Sequence, residues 1–287
     1  MRSDVAQAVE ATEKQSSRAE KFPWTFFTIA YGFSWLFWLP GVLATRGLFE
    51  LPIPATVLVI LGAHGPLIAA FSLTYRETGR AGIKELVRQG FNLRLAPGWI
   101  LVILGLPVIL AGLAWAMSVA TGGPRTELTL LAQPLLILPT FLILFFVGGS
   151  IQEEFGWRGY ALPRLLLKWS ALTASMVLGV LWGLWHLPLF YTAGVSQAYM
   201  PLWAFLILAI AFSILFTWFY INTNNNLLSA LLFHTAINTS LSLFPPIQQS
   251  VNGDQRAFVL LMVLYVIVAV SIIVKGRHRW LKRSIEI

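Results

Sequence analysis

The sequence contains no cysteine and few charged residues, and both shortages restrict the kind of protein it can encode. Without cysteine, a disulfide framework, a thiolate nucleophile and a Cys-ligated zinc site are impossible. Only 11% of the 287 residues are charged, against about 25% in a soluble domain, which excludes a soluble protein, a disordered chain and a nucleic-acid-binding module. The hydrophobic share of 57% and the mean hydropathy of +0.74 instead predict an all-α membrane protein.

Long segments without Asp, Glu, Lys or Arg indicate where the chain crosses the membrane. A helix needs about 20 mostly apolar residues to span about 30 Å of hydrocarbon. Five uncharged segments can each hold one such helix: 22–45, 51–75, 95–124, 128–152 and 257–274. The longest segment, 169–253, is interrupted by loop-forming residues at 191–201 and 222–226 and can hold three. We therefore predict a polytopic membrane protein of about eight transmembrane helices.

The basic residues fall mainly on one side of the membrane when they are sorted by loop. Lys and Arg concentrate in the short cytoplasmic loops of membrane proteins. With eight spans and the N-terminus inside, 17 of the 20 Lys and Arg residues are cytoplasmic, and only Arg46, Arg125 and Arg256 lie outside. We therefore expect both termini to be cytoplasmic, in a multi-pass protein of the cell membrane. The net charge of +8 then reflects topology and contact with lipid, not nucleic-acid binding.

The chain divides into one apolar domain and two polar tails. We expect a polar cytoplasmic tail over 1–21, a single transmembrane domain over 22–274 and a basic cytoplasmic tail over 275–287. The basic segment 76–94 is interpreted as an inside loop, with an amphipathic helix against anionic lipid as one form of it.

A group of ionisable residues follows directly on the fourth apolar segment. Charged side chains inside a bilayer cost about 2.5 to 3.5 kcal/mol each on insertion scales, so they indicate function. On a helix, Glu154 and Arg158 lie four residues apart on one face and can neutralise each other. Glu153 lies about 100° round the helix from Glu154, so the arginine cannot pair well with both carboxylates. One glutamate is left poorly compensated, which makes it a candidate base.

Two histidines lie in the long uncharged segment. His186 follows Trp182 by one helical turn, and His234 shares a face of the seventh span with Asn238. A single intramembrane histidine is more often a hydrogen-bonding group than a catalyst, and His64 in the second span is interpreted in this way. Two acids, an arginine, two histidines and an asparagine on three spans can nevertheless converge on one water-accessible cavity.

Counting along the helices tests this convergence. Glu153 is expected about 9 Å and His234 about 12 Å from the inner end of their spans. If the fifth span starts at Ala171, His186 lies about 22 Å from the inside. For His186 to meet the others, that span must be tilted or begin late, or the stretch 159–169 must dip into the membrane.

At these residues the sequence resembles the CPBP family, the CAAX protease and bacteriocin-processing intramembrane endopeptidases, also called the Abi family. The family pattern is Glu-Glu-x-x-x-Arg, an aromatic-x-x-x-His and His-x-x-x-Asn or Asp, matched here in order at 153–158, 182–186 and 234–238. The resemblance covers about 130–244, with Trp182 where the family commonly has Phe. It implies an intramembrane endopeptidase, related to CAAX prenyl endopeptidases, that cleaves a peptide or protein substrate near the cytosolic face.

The resemblance implies a catalytic set of six residues, and the chemistry of their side chains matches it. The set is Glu153, Glu154, Arg158, His186, His234 and Asn238. Glu153 would act as general base on a water that His186 also holds, while Arg158 would fix Glu154. The substrate could be lipidated or not.

His234 and Asn238 would stabilise the oxyanion of the tetrahedral intermediate, since an amide donates a hydrogen bond without bringing a charge. A zinc ion held by Glu153, His186 and His234 is the alternative, because two His and one Glu can form an open hydrolase site. No cofactor is the favoured prediction.

Two other classes of function stay open. A non-catalytic bacteriocin-immunity or scaffold protein could carry the same motifs, since some relatives of this type are linked to immunity. A transporter would use intramembrane charges for ion coupling, but it usually shows repeats with paired broken helices.

Overall fold

The computed structural model of the protein describes residues 22–246 and 253–281, and all regular structure within these two stretches is helical. The polar tail predicted for 1–21 and residues 282–287 of the basic tail lie outside the described residues. The helices and the lack of strands in the described stretches confirm the all-α prediction.

The helices are numbered in chain order through the described stretches. They are α1 (Trp24–Thr45), α2 (Ala55–Gly62), α3 (Gly65–Gly90), α4 (Pro97–Ala120), α5 (Ile137–Phe146), α6 (Ser150–Gly156), α7 (Leu162–Lys168), α8 (Ala171–Trp185), α9 (Leu202–Asn222), α10 (Leu227–Leu243), α11 (Arg256–Lys275) and α12 (Arg277–Leu281). A π-helical turn, Trp157–Ala161, joins α6 to α7. Short 3-10 turns occur at Pro134–Leu136, Leu187–Tyr191 and Ser196–Tyr199.

Six helical segments of the described residues are long and apolar enough to cross a membrane. A seventh is present if the two segments Pro134–Phe146 and Ser150–Lys168, bent by 40°, form one span. The seventh predicted span corresponds to α10, which has 17 residues and is shorter than the usual spanning helix. The polytopic architecture is therefore confirmed, whereas the count of eight and the cytoplasmic position of the termini stay predictions.

A glycine pair interrupts the fourth predicted span. After α5, Gly149 adopts a φ of +105°, a backbone conformation that residues with a Cβ rarely adopt. The helix axis bends by 40° at this break, and helix resumes at Ser150. Because α6, the π turn and α7 then continue to Lys168, Glu153 lies near the start of a helical segment.

This continuation places Glu153 and His186 at similar distances from one turn. Glu153 precedes Lys168 by 15 positions, or about 22 Å along the helix axis. His186 follows Ala171 by 15 positions, so it also lies about 22 Å from the tight turn between α7 and α8. Both residues thus lie the same length of helix from this turn. The predicted depth of about 9 Å from the inside, which ends the fourth span soon after Glu153, stays a prediction.

The basic segment interpreted as an inside loop is helical over most of its length. α3 continues through it to Gly90, with one non-helical residue at Gly79, where φ is +64° and ψ is −154°. Glu77 accepts hydrogen bonds from Tyr160 Oη and Arg164 Nη2, both at 2.5 Å. These bonds fix α3 against the π turn and α7.

One end of the helix bundle carries most of the described Lys and Arg residues, and we call it the basic end. It comprises the turns 91–96, 168–170 and 223–226. Asn226 joins two of these turns by donating a hydrogen bond to the carbonyl oxygen of Asn92, at 2.9 Å. The third turn, 168–170, lies beside them because α8 and α9 pack side by side in opposite directions.

The opposite end, which we call the loop end, comprises the connections 46–54 and 187–201. The backbone N–H of Ala193 donates to Oγ1 of Thr45 at 2.9 Å and joins the two connections. Arg46 is the basic residue of these connections.

Candidate active site

Glu154 and Arg158 form a buried ion pair in the helix that continues past the glycine break. Arg158 Nη1 donates to both carboxylate oxygens of Glu154, at 2.9 and 3.0 Å, and neither side chain has any exposed surface. The four-residue spacing places them on one face, as the sequence predicts. Glu153 is therefore the glutamate that the arginine does not bind.

Aromatic rings hold the rest of the Arg158 guanidinium. Its Cζ lies 3.8 Å from the centre of the Phe216 ring and 4.9 Å from that of Trp182. Within the described part of the chain, Nε and Nη2 have no hydrogen-bond partner. A desolvated cation–π contact contributes about 2 kcal/mol, so the rings offset part of the missing bonds. No pattern in the sequence singled out Phe216, which lies on α9.

His234 reaches the acid pair from α10. Its Nδ1 lies 2.7 Å from Oε1 of Glu154. Because a carboxylate only accepts, Nδ1 carries the proton and donates. A Cβ built on Gly149 would lie 3.6 Å from Nε2 of His234 and 2.9 Å from Oε1 of Glu153. The free space over Gly149 is therefore bordered by the second imidazole nitrogen and by the unpaired glutamate.

Trp182 fixes the other oxygen of Glu153. The indole Nε1 donates a hydrogen bond of 2.6 Å to Oε2 of Glu153, between α8 and α6. This leaves Oε1 directed toward the space over Gly149. The family's usual Phe at this position cannot donate such a bond. Nothing in the sequence predicts this contact.

His186 lies at the C-terminal end of α8. Its Nδ1 lies 2.8 Å from the carbonyl oxygen of Trp182 and must donate to it, so Nε2 of the neutral ring is an acceptor. The imidazole packs edge-on against Trp185 and Phe205, with ring centres 4.7 and 5.2 Å away. The acceptor nitrogen is therefore held on a ring that the surrounding aromatics keep in place.

Asn238 is half-buried on the face of α10 that carries His234. Its Nδ2 donates to the carbonyl oxygen of Gly148 at 2.9 Å, which leaves the second amide hydrogen free for a ligand. His64 lies apart from this set, at the junction of α2 and α3, where its Nδ1 lies 2.8 Å from the carbonyl oxygen of Ile60. That contact agrees with its interpretation as a hydrogen-bonding residue.

These side chains meet at a cavity of about 280 Å³. Four of the six predicted residues line it: Glu153, His186, His234 and Asn238. The paired Glu154 and Arg158 lie behind its wall. The rest of the wall is mostly apolar and includes Trp38, Val59, Ile60, Met200, Phe205 and Leu208. The structure thus brings the predicted residues together around one pocket, with four facing it and two beneath.

Gly149 belongs to the site although none of the three motifs contains it. With Gly148 it lines the cavity, and no side chain could occupy its place without meeting Glu153. The signal in the sequence is a Gly-Gly pair inside an apolar segment, directly before the acidic motif. Such a pair often marks a bend or a close approach of backbone to a ligand.

Glu153, Glu154 and His234 each offer one ligand atom, and these atoms lie within 4.8 Å of one another. This group contains Glu154, whereas the zinc alternative named His186. Both oxygens of Glu154 already accept from Arg158. A divalent cation there would have to displace the arginine or lie beside its charge. The described donors therefore fit an internal ion pair better than an open zinc site.

Comparison with known proteins identifies relatives of this arrangement. Residues 134–240, which contain all three motifs, match the Rce1-like family, described as type II CAAX prenyl endopeptidase Rce1-like. A protein named CAAX prenyl protease 2, from Methanococcus maripaludis, is 23% identical over 237 residues, an alignment that covers 77% of this chain and 84% of the relative. These matches confirm the resemblance to the CAAX protease family.

Proposed function

We propose that this CAAX-protease-like intramembrane protease hydrolyses a peptide bond with a water molecule activated by Glu153. The observation that carries the proposal is that the two glutamates have different hydrogen-bond partners. Glu154 is bound by Arg158 and His234, whereas Glu153 faces the cavity with one oxygen held by Trp182. A buried carboxylate with one free oxygen beside open space is suited to general-base catalysis.

The water would lie over Gly149, between Oε1 of Glu153 and Nε2 of His186. The imidazole nitrogen accepts one hydrogen bond from the water, and the carboxylate takes the other proton as the oxygen attacks the substrate carbonyl carbon. The C–N bond then breaks, and the protonated Glu153 returns its proton to the leaving amine. The carboxylate is regenerated, and one water is consumed for each bond cleaved.

The negative oxygen of the tetrahedral intermediate requires hydrogen-bond donors. Asn238 offers its second amide hydrogen, since the first is bound to Gly148. His234 offers Nε2–H when both ring nitrogens are protonated, with Nδ1–H held by Glu154. Donors fixed before the reaction stabilise a developing oxyanion without reorganisation, which usually makes this the largest catalytic contribution.

We propose that the substrate carries an apolar group or segment next to the scissile bond. The cavity has a mostly apolar wall on the side of α1, α2 and α9, and its polar groups converge at one place. Ligand sites of this kind use the apolar wall for affinity and the few polar groups for orientation. The chemistry is compatible with a lipidated peptide, as the name of the relative suggests, and with an unmodified transmembrane peptide.

We further propose that no metal takes part. The support is that the arginine already neutralises Glu154, so the donor group has no need of a second cation. Hydrolysis should therefore continue after exhaustive chelation, and adding zinc back should give no increase. Activity that disappears with chelator and returns with zinc would contradict this assignment.

The general-base assignment is tested with Glu153→Gln, which keeps the size of the side chain and removes the base. Purified protein in liposomes should lose at least about 10²-fold in turnover of lipidated and unmodified reporter peptides. Glu85→Gln, the same change at an exposed position, is the matched control. Turnover by Glu153→Gln equal to that of wild type would remove the base assignment. Failure of the wild type to cleave any peptide would favour an immunity, scaffold or transport role.

A further inference from the structure

The second half of α3 and the turn after it carry a cluster of positive charge that the proposed reaction does not use. Five basic residues lie in 76–94: Arg76, Arg80, Lys84, Arg88 and Arg94. The two acidic residues of this segment already bind cations, because Glu77 pairs with Arg164 and Glu85 with Arg88. Among the described residues, no ion pair neutralises the other four basic side chains.

α2 and α3 are together longer than one membrane span requires. They cover 36 residues, or about 54 Å of helix, against about 30 Å of hydrocarbon. Gly79, with a φ of +64° and a ψ of −154°, interrupts the helix close to where the excess begins. The part from Arg80 to Gly90 therefore lies outside the hydrocarbon core, at its surface.

One face of this part packs on the helix that carries the glutamates. Leu86 and Gly90 are buried. A Cβ on Gly90 would lie 2.3 Å from Cζ of Phe155, and Cδ1 of Leu86 lies 3.0 Å from the Cβ position of Gly159. Phe155 and Gly159 belong to α6 and to the π turn, so the inner face of α3 directly supports the active-site segment.

The opposite face combines positive charge with apolar side chains. Its exposed positions recur every three or four residues, as one face of a helix requires: Arg80, Lys84, Val87, Arg88 and Phe91. Basic residues beside exposed apolar ones are typical of a helix in the membrane interface. The apolar side chains point toward the acyl chains, and the long basic side chains reach the headgroups.

Aromatic residues mark the membrane interface at the same end of the bundle. Trp and Tyr concentrate at both interfaces of a bilayer. Tyr75, directly before the basic segment, and Trp24, at the start of α1, are both exposed. Trp24 and Trp169 both contact Phe22, with ring centres 4.3 and 5.7 Å away. Because Trp169 lies in the turn 168–170, these aromatics place the basic end at the level of the headgroups.

We propose that the exposed face of α3 binds the headgroups of anionic phospholipids. The unpaired cations attract phosphate, and Val87 and Phe91 require an acyl environment that a soluble anion does not supply. The segment 1–21 carries four acidic and four basic residues, so it offers no net charge to neutralise this face. Each Lys or Arg close to an anionic membrane surface strengthens binding about fivefold.

Lipid bound at this face favours the active arrangement of the site. Phe155 and Gly159, which the inner face of α3 contacts, directly follow Glu154 and Arg158 in the chain. A ligand that binds the packed position of a helix increases the population of that position. Anionic lipid should therefore raise turnover. This effect rests on the proposed hydrolysis, whereas lipid binding does not.

The lack of native cysteine allows a single fluorophore to report on the lipid at this face. Val87→Cys carries the fluorophore bimane on the exposed face of α3. Leu138→Cys, exposed on α5 in a stretch without Lys or Arg, is the control position. Each full-length protein is reconstituted in liposomes of equimolar phosphatidylglycerol and phosphatidylcholine, with bromine on one lipid or on the other. Bromine quenches only at short range, so the two quenching levels give the relative occupancy of the lipids.

At Val87→Cys we expect phosphatidylglycerol to bind about fivefold more strongly than phosphatidylcholine, and at Leu138→Cys we expect no preference. High salt should reduce the preference, because it screens exposed charges. Adding Arg80→Gln and Lys84→Gln should abolish it. The exchange Arg80→Lys with Lys84→Arg keeps both charges and should retain it.

A matched control removes two exposed charges elsewhere, with Arg46→Gln and Arg125→Gln, and should retain the preference. Equal quenching by the two lipids at Val87→Cys would overturn the proposal. So would a preference that survives Arg80→Gln with Lys84→Gln. Equal quenching together with a response to soluble polyglutamate would assign the face to an acidic polypeptide instead.

Turnover of a reporter peptide gives a separate readout. The wild type should cleave faster as phosphatidylglycerol replaces phosphatidylcholine, and the variant with Arg80→Gln and Lys84→Gln should stay at the rate measured without phosphatidylglycerol. Wild-type turnover that does not respond to phosphatidylglycerol would refute the link to the active site. If no peptide is cleaved while the quenching preference is present, the hydrolytic function fails and the lipid site is retained.

Discussion

Replacing Gly149 by alanine should stop the reaction while the protein still folds. Gly149 has a φ of +105° and lies at the break before α6, directly beside the reacting groups. A Cβ on this residue would lie 2.9 Å from Oε1 of Glu153 and 3.6 Å from Nε2 of His234. The new methyl group would therefore occupy the space that we assign to the attacking water.

The size of the effect follows from two contributions. A residue other than glycine in this backbone conformation costs about 1 to 3 kcal/mol in stability. The methyl group also lies about 0.5 Å inside ordinary contact distance of the carboxylate, which must shift. A misplacement of about 1 Å in a catalytic geometry can cost about 10²-fold in rate. With the water excluded as well, kcat should fall by at least about 10²-fold.

The assay compares Gly149→Ala with Gly47→Ala in liposomes, with thermal unfolding measured in parallel. Gly47 has a φ of +73° and open space around its Cβ position, so it carries a similar backbone cost without contact to the site. The control should keep full activity. Gly149→Ala with turnover within about threefold of wild type, or Gly47→Ala with an equal loss, would refute the assigned position of the water.

Two other substitutions separate the roles of the residues around the glutamates. Trp182→Phe introduces the residue that the family commonly has and removes the hydrogen bond to Glu153. In steady-state kinetics, kcat should fall about 10-fold with little change in KM. An unchanged kcat would show that the bond does not orient the base. Arg158→Met leaves Glu154 buried without its cation and should lower the free energy of unfolding by about 3 to 5 kcal/mol. The double variant with Glu154→Gln should recover part of that loss. No recovery would contradict the pairing.

Most of the site could be predicted from the sequence because its contacts are either local or marked by unusual residues. The pairing of Glu154 with Arg158 follows from helical spacing alone. The prediction that His186, His234 and Asn238 lie near the acids follows from the cost of placing polar groups in lipid. Polar side chains that carry this cost usually belong to a functional site. These arguments depend on no knowledge of how the helices pack.

The contacts that were missed depend on packing between distant helices. Trp182 reaches Glu153 across 29 positions in the chain, and Phe216 covers Arg158 from α9, a helix without Asp, Glu, Lys, Arg or His. Neither residue type is unusual in a membrane helix, so composition does not mark it. Gly149 differs, because the glycine pair is visible in the sequence, but only the bend of 40° shows that it opens space for a ligand.

Helix continues past the fourth predicted span for a physical reason that also explains the arrangement of the site. A span defined by the absence of charge must end at Gln152, because two glutamates and an arginine follow. In the structure these charges compensate one another: Arg158 binds Glu154, His234 bridges to it, and aromatic rings cover the guanidinium. The helix can therefore continue to Lys168 within the apolar bundle. That continuation carries Glu153 to Trp182 of α8 and to the wall of the cavity.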